Sequence, residues 1–294
     1  MIIQLDSGLV VSGEAILENT LRSSLEPIPV TFEAKLRLDE SIALGLLEGS
    51  EIKVGRNLTP VTIVFARDSV SPVYQAGEVK VRHIIALHSN SRGIGYRLER
   101  AFVGERISLS AAYKACGGKS AIEKDFIIDR FYCYKGMTPS YQISRICQEY
   151  GGVVRWGPEN DALSFARIND LFNQEPVMSL PAFTDSTKKS GFLERHEVPS
   201  YISTSTSGGI TKGDFAKPRA VEFSPHKTTA QLHAMSQVLL NAKEVPCRYS
   251  PEVHAGDIIL QGDVKFIVIS AAHSFMRMPS GQEESRSIFW LGVK

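Results

Sequence analysis

The chain has 294 residues, 43% of them hydrophobic and 22% charged, which is the composition of an ordinary globular protein with room for one large domain or two to three small ones. Lys and Arg together number 33 and Asp and Glu 32, for a formal net charge of +1. This balance argues against a dedicated nucleic-acid binder, which would carry a basic excess or a basic stripe.

The first hundred residues are predicted to form β-structure. Residues 30–38 alternate apolar and polar side chains without a break, the pattern of a half-buried antiparallel strand. Further strands are predicted in SEIKV and PVTIVFAR, which flank the turn-forming GRN, and in EVKVRHIIALHS and ERAFVGERISL. Together these strands predict a first β-domain over residues 1–107.

A small α/β unit is predicted to follow, over residues 108–172. It opens with a short helix in SLSAAYKACGG, for which Ser108 or Ser110 is the predicted N-cap and Gly117 the end. A strand in DFIIDRFYCY comes next, then a second helix, and then strands in VVRW and ALSFARI on either side of the turn GPEND.

The second helix of this unit has the most complete pattern in the sequence. Thr138 is its predicted N-cap, Pro139 suits its first position, and Gly151 is predicted to end it with a positive φ. Packing dominates over capping, because burying one isoleucine contributes about 1.5–3 kcal/mol and a cap about 1 kcal/mol. The apolar face comprises Ile143, Ile146, Cys147 and Tyr150. The residues predicted to stay in water are Gln142, Arg145, Gln148 and Glu149.

The rest of the chain is predicted to form a connector, residues 173–216, and a second β-domain with one helix, residues 217–294. In the connector, STSTSGGITKGD predicts a loop. GDIILQGDVKFIVIS predicts a hairpin that turns at residues 261–263, and SIFWLGV predicts a closing strand. KTTAQLHAMSQVLLNAK predicts the helix, with an apolar stripe formed by Leu232, Met235, Val238 and Leu239.

Two segments near opposite ends of the chain share a glycine spacing. Gly49 and Gly55 flank one short apolar segment, and Gly256 and Gly262 flank another. A β-branched strand follows each segment. The isoleucines at the same offset are Ile52 and Ile259. The similarity suggests two related β-domains, one near each end of the chain.

From Val30 onward the sequence resembles the baseplate hub proteins of contractile-tail phages, a family with late-control protein D and the N-terminal half of VgrG spike proteins. The resemblance lies in an aromatic-rich strand followed by GMTP, a helix ending CQEYGGVVRW, and ALSFARI. It also lies in HAGDIILQGDVKFIVISAAHSF, where a G-D-x-apolar turn leads into a strand that reaches His273 and Phe275. The resemblance implies a mainly β fold with an α+β insert: two similar antiparallel β-barrel domains plus a small α/β unit.

The resemblance also implies the assembly. Such hubs are homotrimers around a central channel, and two barrels per subunit give a pseudo-six-fold ring that joins a six-fold tail tube to a three-fold spike. The implied partners are the tail tube protein ring, a separate spike protein and other baseplate proteins, with DNA only passing through the channel. The implied location is the virion tail baseplate, after assembly in the host bacterial cytoplasm.

The sequence stops at Lys294, whereas VgrG chains continue into an OB-like domain and a β-helical needle. This difference predicts a separate spike polypeptide and favours a contractile-tail phage over a secretion-system spike. A VgrG-like secretion hub or a tailocin hub stays an alternative.

No catalytic residue, cofactor or metal ligand is predicted, and the chain is predicted not to be an enzyme. The sequence has neither a P-loop nor G-x-S-x-G, and its seven histidines form no recognisable metal spacing. His83 and His88 are predicted on opposite faces of one strand, and HAGD (residues 254–257) as a turn rather than a His/Asp dyad. No C-x-x-C occurs, so free buried thiols are predicted for Cys116, Cys133, Cys147 and Cys247.

Two other function classes remain open. One is a tail-associated peptidase or glycosidase, against which the missing catalytic pattern counts. The other is a carbohydrate- or peptide-binding module on an OB-like barrel, which exposed aromatics such as Tyr74, Tyr96 or Tyr249 would favour if they clustered. A loose basic cluster is predicted to be solvated or to form subunit salt bridges; it comprises Arg92, Arg97, Arg100 and Arg106. The sequence shows no leader peptide and no apolar run long enough to cross a membrane.

Overall fold

Most of the regular structure is β-sheet, as the sequence predicts. The computed structural model describes residues 1–73, 77–181, 199–205, 207–216, 219–278 and 280–293. Half of the structure is strand and 16% is helix, and its largest sheet curls into a half-barrel. The predicted class, mainly β with an α+β insert, is confirmed.

The strands are numbered in chain order. They are β1 (Ile3–Leu5), β2 (Ile16–Ser24), β3 (Val30–Arg37), β4 (Glu51–Val54), β5 (Thr59–Val73), β6 (Gly77–His88), β7 (Phe102–Ser108), β8 (Ala121–Lys124), β9 (Ile127–Cys133), β10 (Gly152–Gly157), β11 (Ala162–Arg167), β12 (Pro176–Leu180), β13 (Ser200–Thr204), β14 (Ile210–Lys212), β15 (Val221–Phe223), β16 (Leu240–Arg248), β17 (Ile258–Gln261), β18 (Val264–Arg277) and β19 (Glu283–Val293).

The helices are short and lie between these strands. The α-helices are α1 (Glu40–Ala43), α2 (Leu109–Ala115), α3 (Pro139–Glu149), α4 (Ile168–Leu171) and α5 (Thr229–Met235). Single 3-10 turns occupy Gly13–Ala15, Leu44–Leu46 and Arg92–Gly95. Among the described residues, no helix has the length and apolar character needed to cross a membrane.

One eleven-stranded sheet contains strands from both ends of the chain. Its order is β1-β4-β5-β6-β3-β2-β18-β17-β12, with β19 also beside β18 and β16 beside β19. The antiparallel pairing of β2 with β18 joins the amino-terminal strands to the carboxyl-terminal ones. The segments predicted as two barrels are therefore hydrogen-bonded into one continuous sheet, and the predicted domain boundaries stay predictions.

Strand β3 shows why the amino-terminal half folds as predicted. It pairs antiparallel with β2 on one side and β6 on the other. Phe32, Ala34 and Leu36 are at most 1% exposed, whereas Glu33 and Lys35 face solvent. The unbroken period of two therefore places one face of β3 in the core, as expected for a sheet that is solvated on its other face.

The α/β unit forms around two small sheets, β7–β9 and β10–β11–β8, with α2 and α3 packed against them. Ser108 caps α2 by accepting a hydrogen bond from the Ala111 amide, and Gly117 follows that helix with φ of 100°. On α3, Ile143 and Ile146 are buried. Gly151 takes a φ of 63° after the helix. These features confirm the predicted core face and glycine ends of both helices.

Three details of α3 differ from the prediction. Thr138 occupies the N-cap position, but its side chain makes no capping hydrogen bond. Gln142 and Glu149, predicted to stay in water, are 5% and 7% exposed. Glu149 is buried because Lys227, 78 residues further along the chain, forms an ion pair with it. The helical pattern alone could not reveal this distant partner.

The helix predicted in residues 227–243 is shorter than expected. Helix α5 ends at Met235, and Leu240–Arg248 forms β16, which pairs with β19. Val238 and Leu239 are half-buried beyond the helix end instead of continuing its stripe. Pairing with β19 therefore overrides the helical period of the second half of this segment.

The predicted connector contains regular structure. β12 pairs parallel with β17, and the Ser/Thr/Gly-rich segment predicted as a loop forms part of the β13–β14 hairpin. The parts of the connector at residues 182–198 and 206 lie outside the described residues.

Candidate functional site

The glycine-spaced repeat forms two similar hairpins. A four-residue strand turns back into a long strand in each, β4 into β5 and β17 into β18. The second residue of each short strand, Ile52 or Ile259, is 0% exposed. The four glycines all have positive φ: 89° at Gly49, 75° at Gly55, 94° at Gly256 and 58° at Gly262. The same local chain path therefore occurs twice, although the turns between the strands differ in length.

The amino-terminal and carboxyl-terminal parts of the large sheet, each of which contains one of the hairpins, meet where β2 pairs with β18. Ser23 accepts two hydrogen bonds there, at its hydroxyl from the Ala255 amide (3.0 Å) and at its carbonyl from the Ser270 hydroxyl (3.0 Å). The Arg22 guanidinium lies 4.7 Å from the ring centre of Trp290, a cation–π contact. A cleft of about 580 Å³ opens beside this junction, between the β2–β3 turn, α3 and the segment after α5.

Two ion pairs fix the α/β unit to the carboxyl-terminal part of the chain. Lys227 Nζ lies 2.6 Å from Glu149 Oε2, with side chains only 18% and 10% exposed. Arg155 donates to Asp257 (2.9 Å) and to the Gln174 side chain (2.5 Å). Such partly buried, hydrogen-bonded pairs set a defined orientation between the units that they join.

One constellation has the residue types of a hydrolase, but it is buried. His88 bonds the Ser91 hydroxyl through Nδ1 (2.8 Å) and the Asp161 carboxylate through Nε2 (2.7 Å). Ser91 and His88 are both 0% exposed. The Ser91 hydroxyl also bonds Tyr113 and Ser120, both buried. A catalytic serine must be accessible to its substrate, and Ser91 is not. The network therefore has a structural role, in which buried hydrogen bonds hold these segments together.

The electrostatics of Asp161 fit that structural role. Burial opposes ionisation of this carboxyl, but hydrogen bonds from His88, Trp156 and Asn90 outweigh the burial and hold its pKa below the ordinary value. The carboxylate thus joins the end of β6 to the β10–β11 turn.

His254 and His273 lie together in a smaller pocket of about 300 Å³. His273 bonds the Ser287 hydroxyl and the Val253 carbonyl, and burial together with nearby His254 lowers its pKa to about 4. Asp257 accepts a hydrogen bond from the His254 main-chain amide instead of its ring. HAGD therefore has the geometry of a turn.

The remaining candidates from the sequence lie apart from one another. Tyr249 packs edge-on against His273, whereas Tyr96 ends the 3-10 turn that starts at Arg92. Tyr74 and His196 lie outside the described residues. In the basic cluster Arg92 is half-buried; the exposed members are Arg97, Arg100 and Arg106.

The cysteines are free thiols, with three buried and Cys247 partly exposed. Burial raises the pKa of Cys147 to about 12, which disfavours the reactive thiolate. In the part of the chain that the structure describes, no group of three or more His, Cys, Asp and Glu side chains could hold a metal ion.

The α/β unit has an exposed aromatic surface that the sequence did not predict. The rings of Tyr132 and Tyr134 stack 5.4 Å apart, and the Arg145 guanidinium lies 4.9 Å from the Tyr132 ring centre. Tyr141, one helical turn before Arg145, is 69% exposed. The signal for this surface in the sequence is the alternation of tyrosines in FYCYKG. The structure shows that Phe131 and Cys133 face the core, so the alternating Tyr132 and Tyr134 face outward.

Comparison with solved structures identifies the fold. No protein-family model and no curated protein sequence matches the chain. A tail protein from Neisseria meningitidis MC58 superposes with a TM-score of 0.66 at 12% identity, covering 100% of this chain and 96% of that protein. The 43 kDa tail protein of prophage MuSo2 from Shewanella oneidensis gives 0.67 at 13% identity, covering 100% and 97%.

A secretion-system protein has the same fold. A component of the E. coli type VI secretion system, described as structurally similar to the T4 bacteriophage tail proteins gp27 and gp5, gives a TM-score of 0.57 at 10% identity and covers 95% of this chain and 73% of that protein. The resemblance found in the sequence is confirmed at the level of fold: this chain has the fold shared by phage tail proteins and VgrG-like type VI secretion proteins.

Proposed function

We propose that the chain is a structural hub of a contractile phage tail, a homotrimer that joins the six-fold tail tube to a three-fold spike around a central channel. The observation that carries the proposal is the repeated hairpin, with its four positive-φ glycines, in a chain whose fold matches tail proteins over its full length.

The repeated hairpin would allow a trimer to match the six-fold symmetry of a tail tube. A ring of six identical tube subunits offers six equivalent contact surfaces. A trimer can meet all six only if every subunit presents two equivalent surfaces. The hairpins β4–β5 and β17–β18 are the two related elements that each subunit would present.

The role is non-enzymatic. Among the described residues, the Ser91–His88–Asp161 network has the residue types of a catalytic triad, but its serine and histidine are buried in the core. A hub instead needs long-lived contacts and rigid junctions, and the ion pairs Glu149–Lys227 and Arg155–Asp257 supply such rigidity within the subunit.

In this proposal the chain works in the tail baseplate of the virion after assembly in the host cytoplasm. Its partners are two further copies of itself, the tube ring, a separate spike protein and other baseplate proteins, while DNA passes through the channel. The near-neutral net charge of +1 suits contacts between protein subunits better than a surface that grips DNA.

A secretion or tailocin hub is the second candidate, favoured by the likeness to the E. coli type VI component. Purified virions separate the two roles. The chain should be detected by mass spectrometry in DNA-filled particles if it is a phage hub, whereas its exclusion from virions released by the same cells would favour the second candidate.

Light scattering during size-exclusion chromatography tests the proposed assembly. A mass three times that of one chain is expected. A protein that stays monomeric at the highest soluble concentration would contradict the proposed trimer. A peptidoglycan-cleaving activity that a point substitution abolishes would contradict the non-enzymatic role.

A further inference from the structure

The loop between β3 and β4, at the amino-terminal part of the large sheet, carries exposed leucines. The leucine loop comprises residues 39–48, which include α1 and the 3-10 turn after it. Leu44 is 80% exposed and Leu47 44% exposed. The loop contains Asp39, Glu40 and Glu48 but no Lys or Arg, so it presents apolar side chains within an acidic surrounding.

The leucine loop is anchored by its own buried side chains and by hydrogen bonds from Arg82. Two of its own residues, Ile42 and Leu46, are buried in the core. Arg82, itself 8% exposed, donates from Nη1 to the carbonyls of Ala43 (2.6 Å) and Leu46 (3.4 Å). The same guanidinium makes a two-bond pair with Asp68 (2.5 and 2.8 Å). The exposed leucines therefore stand on an ordered base, and pre-ordered contact groups lose little conformational entropy on binding.

A surface of complementary chemistry lies on the α/β unit. We define the tyrosine face as Val103, Tyr132, Tyr134, Tyr141 and Arg145. The register β7–β9 places Val103 opposite Tyr132, so both point to the outer side of this two-stranded sheet. Val103, Tyr134 and Tyr141 are 58%, 52% and 69% exposed. Tyr and Arg are the residue types enriched where protein interfaces concentrate their binding energy.

Four of the five residues of the tyrosine face lie in a basic segment of the chain. Residues 130–148 contain Arg130, Lys135 and Arg145 but no Asp or Glu. Arg130 is paired with Glu105 (3.1 Å). The Arg145 guanidinium stacks on Tyr132, and its Nε is buried without a hydrogen-bond partner among the described residues. The partly exposed Arg145 therefore gives the tyrosine face a positive charge, which a carboxylate on another surface would complement.

We propose that the leucine loop of one copy docks on the tyrosine face of a second copy, head to tail, and that this contact closes the trimer. Each chain exposes both surfaces, so neither covers the other within a subunit. Their charges are opposite, acidic on the loop and basic on the face, and each has an apolar centre. Two different surfaces of one chain make a heterologous contact, which forms a ring when the rotation closes. The inference rests on the homotrimer of the proposed function.

Single substitutions can remove either surface and spare the fold. Leu44→Asp changes a side chain that lies outside the core. Tyr141→Asp places a carboxylate at the third residue of α3, where it favours the helix dipole and lies one turn from Arg145. Ile210→Asp is the matched control, because Ile210 is also an apolar side chain, 71% exposed, but lies on β14 outside both surfaces.

Analytical ultracentrifugation of these variants, alone and mixed, tests the contact. Leu44→Asp alone and Tyr141→Asp alone should sediment as monomers, while Ile210→Asp stays trimeric. An equal mixture of the first two should form a one-to-one dimer and stop there, since only one intact loop meets one intact face.

The outcomes separate this contact from the hub itself. A trimeric wild type whose two variants also stay trimeric would overturn the contact and leave the hub intact. A mixture without the one-to-one dimer would overturn the contact as well. A wild type that is monomeric would overturn the proposed trimer, and this contact with it.

Discussion

Arg82 is the residue on which the leucine loop depends most directly. Arg82→Ala removes the pair with Asp68 and the bonds to the carbonyls of Ala43 and Leu46. We expect a loss of about 1–3 kcal/mol in the free energy of unfolding, since buried acceptors lose a charged donor. Urea unfolding measures it. Lys35→Ala, which breaks an exposed pair with Glu18, is the control and should cost less than about 1 kcal/mol. Equal effects of the two substitutions would mean that Arg82 does not support the loop.

The low pKa of buried His273 predicts that the stability of the protein depends on pH. Its pKa falls from 6.5 to about 4 on folding, so the native state holds it neutral. Below pH 6.5 the unfolded chain binds a proton at His273 that the native state does not bind, so the free energy of unfolding falls. The contribution of neutral His273 to stability is complete above pH 6.5 and is lost progressively down to about pH 4. Over that window the loss is about 3 kcal/mol.

Chemical unfolding at a series of pH values measures this effect. His273→Gln should flatten the slope between pH 6.5 and 4 relative to wild type, whatever its effect on stability at neutral pH. An unchanged slope would show that other groups carry the pH dependence.

At the scale of elements, helix α3 tests the packing argument. Ile146→Asp would place a carboxylate in a position 3% exposed, and it should destabilise the protein by several kcal/mol, about 3 or more. Ser144→Asp on the exposed side of the same helix should change the stability by about 0.5 kcal/mol or less. Thermal melting compares them; a melting temperature for Ile146→Asp within a degree or two of wild type would contradict the buried face.

The repeated turns can be compared through their glycines. Gly49 and Gly256 both have φ near 90°, so alanine is strained at either position, by about 1–2 kcal/mol. An added Cβ meets nothing within 4 Å at Gly49 but comes within 2.8 Å of the Arg155 side chain at Gly256. Gly256→Ala should therefore destabilise more than Gly49→Ala in urea unfolding, and the reverse order would contradict the described turn.

The elements that the sequence predicted well are those with a local cause. The alternation in β3, the glycine ends of α2 and α3 and the β17–β18 hairpin follow from periods and turn residues within one segment. The early end of α5 and the burial of Glu149 depend on β19 and Lys227, far along the chain. The tyrosine face likewise needed the β7–β9 register, which no local pattern specifies.

At the scale of the whole molecule, the joining of both chain ends in one sheet gives the proposed hub its rigidity. The β2–β18 pairing makes the two repeated hairpins parts of a single sheet, so they would hold fixed positions relative to each other. Fixed spacing is what a subunit needs to meet two neighbouring sites on a six-fold ring.

Electron microscopy of the purified protein tests the central claim most directly. The hub account predicts class averages with three-fold symmetry around an open channel, in which the β4–β5 and β17–β18 hairpins of three subunits give six similar features at one end of the ring. A particle without a three-fold axis, or a ring in which the two hairpins lie at different heights and radii, would contradict it.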